Sequence, residues 1–172
     1  MSPNNIVLFQ PEIPQNVGNV MRTALAADAV LHLIEPLGFS MASRYITRSG
    51  VNYIDKVDYH LYRDIDEFFE KNQGEYYFLT RYGQRIFTDH ELTDKSKNYY
   101  FILGRESTGI PKEILKSHLD YCIRLPMTDK VRALNLSNVA AIVLYEALRQ
   151  QGYPNLSHYE PDSLKGSNYL CE

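Results

Sequence analysis

YYFILGRESTGIP, residues 99–111, is the stretch that decides the fold. Its first half, YYFIL (99–103), is an unbroken aromatic and branched apolar run, the composition of a strand covered on both faces. Its second half, GRESTG (104–109), switches to glycine, charge and hydroxyl groups. Pro111 then suits a first helical turn, where its missing N–H would be unbonded anyway. Strand, glycine-bearing loop and helix make an α/β unit, and in open parallel sheets such loops are where ligands bind. The spacing Gly104-x-x-x-x-Gly109 is half of a phosphate-binding loop. However, Ile110 and Pro111 stand where Lys and Ser/Thr would have to reach phosphates and magnesium. A nucleoside triphosphate is therefore the wrong ligand for this loop.

Working outward, similar apolar runs recur at 5–9, 30–34, 56–62, 76–80 and 121–125, with helical patterns at 16–27, 41–49, 64–72, 111–118 and 136–151. The alternation predicts an α/β fold, a mostly parallel sheet with helices on both faces. DIDEFFEKN carries an aspartate cap and a Phe68/Phe69 inner face. After Gln151 the periodicity fades, so residues 1–153 form one domain and 154–172 a partly ordered tail. No Gly-x-Gly-x-x-Gly opens a helix after the first strand, which argues against a dinucleotide-binding dehydrogenase.

Bulk properties narrow the function classes. The chain of 172 residues suits a single core, with 44% hydrophobic and 23% charged residues. No apolar run approaches a membrane span and no secretory leader is visible, so a cytoplasmic protein without a membrane partner is expected. Cys122 and Cys171 form no metal-binding or disulfide pattern, and the five histidines lack ligand spacing; no metal is expected. A net charge of −3 is not that of a protein coated for non-specific nucleic-acid binding, so an RNA partner would need a local basic patch. Tryptophan is absent and tyrosine numbers 14, most of them expected as half-buried sheet residues.

Three polar, glycine-bearing segments follow strands: PEIPQNVGNVMRT (11–23), LGRESTGIP (103–111) and LPMTDKVRALNLSN (125–138). In the first, Asn16, Asn19 and Arg22 recur every three residues along one helix face, while Val17, Val20, Met21 and Ala24 supply the buried side. The stripe is either a solvated face with a cap at Asn16 or a set of donors aimed at a ribose or phosphate. Gly18 lowers helix propensity by about 1 kcal/mol, which makes sense if something approaches the backbone there. In the second, Glu106 stands between two glycines, as a surface turn or as part of a binding loop. In the third, Asn135, Ser137 and Asn138 precede or open a helix whose Val139, Ile142, Val143 and Leu144 are expected to face the sheet. Any one of the three polar residues is explained by capping; three in four is more than capping requires.

Together these segments resemble the signature motifs of the knotted SPOUT-type RNA methyltransferases, and within them the TrmL branch, the tRNA (cytidine(34)-2′-O)-methyltransferases. NIVLFQPEIPQNVGNVMRTA resembles the opening motif, LHLIEPLGF the second strand and its loop, ILGRESTGIP the middle motif, and IRLPMTDKVRALNLSNVAAIVLYEALRQ the closing motif. The similarity runs from about residue 4 to residue 153, four motifs in order at compatible distances.

The resemblance implies a C-terminal trefoil knot and S-adenosylmethionine as cofactor, held largely by backbone groups at Leu79, Gly104, Leu125 and Ala133. It implies Arg22, Asn16, Glu106 and Asn135 as catalytic residues, with Arg22 at the ribose 2′-oxygen and Asn16 and Glu106 holding it in register. RNA contacts are expected from Arg44, Arg48, Arg105, Arg132, Ser137 and Asn138, with Lys112 and Lys130 nearby; Arg44 and Arg48 are equally explained as solubilising charges. The implied partners are the tRNA anticodon stem-loop, with leucine tRNAs expected, and a second copy of the chain in a homodimer. Two departures stand out: Ala133 replaces the usual serine and Arg105 the usual proline. A methyltransferase of the same superfamily acting on ribosomal RNA, and a non-catalytic RNA-binding factor on the same fold, are the competing readings.

Overall fold

The structure is a computed structural model, and it describes residues 4–42, 46 and 54–171. Seven strands are described: β1 (Asn4–Phe9), β2 (Val30–Ile34), β3 (Tyr59–Tyr62), β4 (Glu75–Leu79), β5 (Arg85–Ile86), β6 (Tyr99–Leu103) and β7 (Cys122–Arg124). They form one sheet in the order β3-β2-β1-β6-β4-β7-β5, and every pairing is parallel. Helices α1 (Pro14–Ala26), α2 (Ile65–Lys71), α3 (Lys112–Lys116) and α4 (Leu136–Gln151) cover it. The predicted α/β architecture holds.

YYFIL lies at the centre, between β1 and β4, and all five of its residues are buried. Its continuous hydrophobicity hides a period of two, because side chains of a strand alternate between faces. Tyr99, Phe101 and Leu103 join one core with α1 and α4; Tyr100 and Ile102 join the other with Phe68 of α2 and Ile110. β1 splits the same way, Ile6 and Leu8 against Val7 and Phe9.

Helix α4 shows the same logic at helical period. Ala140, Val143, Leu144, Ala147 and Leu148 are fully buried, the stripe expected of an amphipathic helix. Each buried valine or leucine contributes about 1.5–3 kcal/mol. Ile142 falls between these positions and is exposed, contrary to the expectation that it faces the sheet. Gly152 ends the helix at a φ of 74°, and Tyr153 N–H closes back on Leu148 O at 2.9 Å.

Several boundaries differ from expectation. The strand predicted over 56–62 begins at Tyr59, because Ile54–Lys56 closes a 3-10 turn instead. Leu119–Tyr121 does the same before β7, so Leu125 lies just past that strand. Helix α3 is shorter than 111–118. β5, two exposed residues on the sheet edge, carries no apolar pattern and was not anticipated. The helix predicted over 41–49 lies largely outside the described residues; Ile46 is buried. No described helix is long and apolar enough to cross a membrane.

Candidate active site

Because the strands are parallel, the loops after β1, β6, β4 and β7 all leave from one edge of the sheet. Leu8 pairs with Leu103, Leu103 with Leu79, and Leu79 with Ile123, so the four exits form a row. The chain reverses its direction of sheet growth between β1 and β6, where a crevice is expected.

At that point Glu106 reaches across to α1. Helix α1 has no side-chain cap of its own: the residue before it is Ile13, and Pro14 opens the first turn. The Glu106 carboxylate fills the gap, accepting from Glu12 N–H at 2.8 Å, Ile13 N–H at 3.3 Å and the Asn16 side-chain amide at 2.9 Å. A carboxylate at the positive end of a helix is favourably placed. Asn16 is buried at 5% exposure and is inside the helix, so the capping role considered for it is corrected. Its Oδ1 accepts from the Asn135 side chain at 3.0 Å. Asn135 in turn caps α4, its Oδ1 accepting from Ser137 N–H at 2.9 Å and Ser137 Oγ–H at 2.7 Å. One hydrogen-bonded line thus joins the loops after β6, β1 and β7.

The loop carrying Glu106 is closed by its own backbone. Arg105 and Gly109 exchange both backbone bonds, at 3.2 and 2.9 Å. Gly109 takes a φ of 72°, and a Cβ on Gly104 would lie 2.2 Å from Gly109 C. These two glycines are required by the turn itself.

Arg22 is exposed, and its side chain makes no hydrogen bond or ion pair among the described residues. It does not touch Glu106, contrary to expectation. The reason is helical drift: steps of three residues fall about 60° short of a full turn each, so Arg22 stands about 120° around α1 from Asn16. Asn16 points inward, Asn19 and Arg22 outward. Gly18 is buried within the helix.

Arg105 is engaged within the protein. Its guanidinium donates to Gln10 Oε1 and lies over the Phe9 ring at 5.8 Å, while the residue stays partly exposed. Gln10, missed in the sequence, bridges three strand exits: its N–H donates to Ile34 O at 2.9 Å and its amide to Glu35 O at 3.1 Å. Arg132, Ala133 and Asn138 are exposed on or beside the loop before α4. Arg44 and Arg48 lie outside the described residues. Of the positions expected to hold a cofactor, Leu79 is half-buried at the end of β4, Gly104 follows β6, and Leu125 is buried after β7.

A parallel α/β sheet with a hydrogen-bonded polar line across its strand exits agrees with what residues 3–145 show by comparison: they match the SpoU rRNA methylase family, and the chain belongs to it. It is accordingly a methyltransferase. A Geobacillus stearothermophilus protein assigned as a tRNA (cytidine(34)-2′-O)-methyltransferase is 52% identical over 154 residues, 89% of this chain and 98% of the relative. A solved structure from Bacillus anthracis, assigned as an RNA methyltransferase, superposes with a TM-score of 0.86 at 49% identity, covering 90% of this chain and 98% of that one. Another, described as giving insight into 2-OH methylation of C/U34 on tRNA, superposes with a TM-score of 0.81 at 36% identity, covering 87% and 96%.

Proposed function

We propose that this protein is an S-adenosylmethionine-dependent methyltransferase for the ribose 2′-oxygen of nucleotide 34, cytidine or uridine, in tRNA, with leucine tRNAs as carriers. The observation that carries the reading is the line Glu106–Asn16–Asn135, which binds three loops of a SpoU-family fold together, with an exposed arginine, Arg22, further along the helix that carries Asn16. The names of the relatives support nucleotide 34 of tRNA over ribosomal RNA.

The residues at the β6, β4 and β7 exits fit the cofactor. Leu79 and Leu125 offer apolar walls, and main-chain groups around Gly104 offer partners for a flat heterocycle. Ala133 can contribute main-chain atoms alone. When bound, S-adenosylmethionine supplies a methyl group on a positively charged sulfur. The protein's task is alignment of the attacking oxygen and removal of its proton. A guanidinium holds its protons too tightly to be a base, so Arg22 orients and polarises the 2′-oxygen and an adjacent RNA phosphate takes the proton. Glu106 is not the base either, since its oxygens are already committed to three N–H donors.

Exposed Lys130 and Arg132 beside the site suit the phosphates of an anticodon stem-loop. The reading extends to a cytoplasmic homodimer and to a C-terminal trefoil knot. Exposed Ile142 and Tyr145 on α4 support the dimer as an apolar face for a second copy. The position of β6 between β1 and β4, although β4 precedes it in the chain, is compatible with the knot.

Incubation with methyl-labelled S-adenosylmethionine and leucine tRNA transcripts tests the proposal. Label is expected on nucleotide 34 and should vanish when that sugar is 2′-deoxy. Label on another nucleotide, or on ribosomal RNA alone, overturns the assignment.

A further inference from the structure

Two side chains next to the polar line belong to none of the roles so far given. The Glu12 carboxylate accepts from Ser107 N–H at 2.9 Å and from Ser107 Oγ–H at 2.8 Å. In the opposite direction, the Glu106 carboxylate accepts from the backbone of Glu12 and Ile13. Each loop therefore lends a carboxylate to the other's main chain, a reciprocal clasp between the exits of two adjacent strands.

The arrangement is reciprocal and joins two loops 95 residues apart, which a local turn contact would not do. Ser107 is exposed and Glu12 half-buried, so burial does not force the contact. The two Ser107 donors, backbone N–H first, hold the Glu12 carboxyl below the usual carboxylate range. The loop after β2 presses on the same point: Gly38 N–H donates to Pro11 O at 3.0 Å, and a Cβ on Gly38 would stand 2.8 Å from Glu12 Cα. Glu12 thus lies where three loops converge, with its charge turned toward the one that carries Glu106.

We infer that Glu12 and Ser107 are a positioning pair for methyl transfer. Their clasp fixes the Glu106 carboxylate against the start of α1 and, through Asn16, fixes Asn135 and the helix bearing Arg22. Neither residue is catalytic; both act through Glu106. The inference rests on the methyl-transfer reading above.

Steady-state transfer by the full-length protein, with tRNA and S-adenosylmethionine, tests it. Misplacement of reacting groups by about 1 Å costs on the order of 100-fold, so Glu12→Ala is expected to lower kcat by about 30-fold. The tRNA KM and the calorimetric Kd for S-adenosylmethionine should each move less than about threefold. Ser107→Ala keeps its N–H donor and should lose about fivefold, most of it recovered in Ser107→Thr. Glu12→Gln, with one acceptor oxygen left, should fall between wild type and Glu12→Ala. The double variant should be no worse than Glu12→Ala alone, because both changes open the same clasp.

An unchanged kcat in Glu12→Ala overturns the inference, as do multiplicative losses in the double variant. So does a loss of kcat, KM and Kd together in proportion to the unfolded fraction seen by circular dichroism. Inactive wild-type protein instead sinks the functional reading itself; active wild type with equally active Glu12→Ala sinks the positioning pair alone.

Discussion

The Asn135 side-chain amide donates to Asn16 Oδ1 at 3.0 Å, across 119 residues of sequence. The direction of that bond is dictated elsewhere. An ionised carboxylate only accepts, so Glu106 turns the Asn16 NH2 toward itself and leaves Asn16 Oδ1 facing Asn135. Asn135 must then present its NH2, which frees its own Oδ1 for the start of α4. One charge sets the polarity of the whole line.

Asn16→Asp should break that polarity at its source. The substitution replaces a donor 2.9 Å from Glu106 with a second carboxylate. The two acids would share a proton at low pH and repel when both ionise, which raises the pKa of the pair. The resulting loss of stability grows as pH rises through that raised value. Urea unfolding is expected to show a deficit of about 2–3 kcal/mol at pH 8 that shrinks at pH 5. Methyl transfer should be abolished at both.

The two loop glycines separate space from conformation. A Cβ on Gly104 would meet Gly109 C at 2.2 Å and Ile110 N at 2.3 Å, both main-chain atoms. Gly104→Ala must therefore reopen the loop, and a loss of at least about 3 kcal/mol is expected, with weakened S-adenosylmethionine binding. Gly109→Ala meets nothing within 4 Å but keeps a φ of 72°. It should cost only about 1–2 kcal/mol. Equal effects in thermal or urea denaturation would contradict this account.

What was legible in the sequence follows from range. β2 and α4 were expected at 30–34 and 136–151, where they lie, because a buried strand and an amphipathic helix write their period into consecutive residues. Glu106, Asn16 and Asn135 were singled out together through their motifs, yet their bonds were not: the partners are 90 and 119 residues apart. The same distance hid Glu12, whose clasp with Ser107 spans 95 residues. The contact between Arg105 and Gln10 is hidden for another reason. A long guanidinium stem beside a polar loop serves a phosphate or a buried amide equally well, and only the position of Gln10 decides. β5 has no interior face, so it has no pattern to find.

His32 predicts a distinct acid sensitivity. It is buried on β2, between β1 and the edge strand β3, with Nε2 against Asn5 Oδ1 at 3.0 Å and Nδ1 against the Tyr62 hydroxyl at 2.8 Å. Asn5 Oδ1 is an acceptor for Nε2–H, and the one Tyr62 hydroxyl proton lies between His32 Nδ1 at 2.8 Å and Asn72 Oδ1 at 3.4 Å; donated to the nearer Nδ1, it suits the neutral ring. Burial, and then the neighbouring His60, push its pKa down to about 3 from 6.5. The stability this contributes is complete above the unfolded value and is lost as pH falls below it toward the folded one. Urea midpoints should therefore fall between pH 6.5 and 4.5, with a slope approaching about 1.4 kcal/mol per pH unit. His32→Asn should flatten the slope in that window, before the carboxylates begin to titrate.

Salt dependence distinguishes the arginines. A side chain that neutralises an RNA phosphate releases a condensed counterion, so its removal lowers the slope of log affinity against log salt by about one unit. Arg22 and Arg132 are exposed and without ion-pair partners among the described residues, so their alanine variants should each reduce the slope. Arg22→Ala should also abolish transfer while leaving calorimetric binding of S-adenosylmethionine nearly intact. Arg105 is committed to Gln10 and the Phe9 ring. Arg105→Ala should instead leave the slope unchanged and lower stability by about 1–2 kcal/mol, since it strips a partner from a half-buried amide. Filter binding of tRNA across a salt series reads all three; a reduced slope in Arg105→Ala would return that residue to the RNA surface.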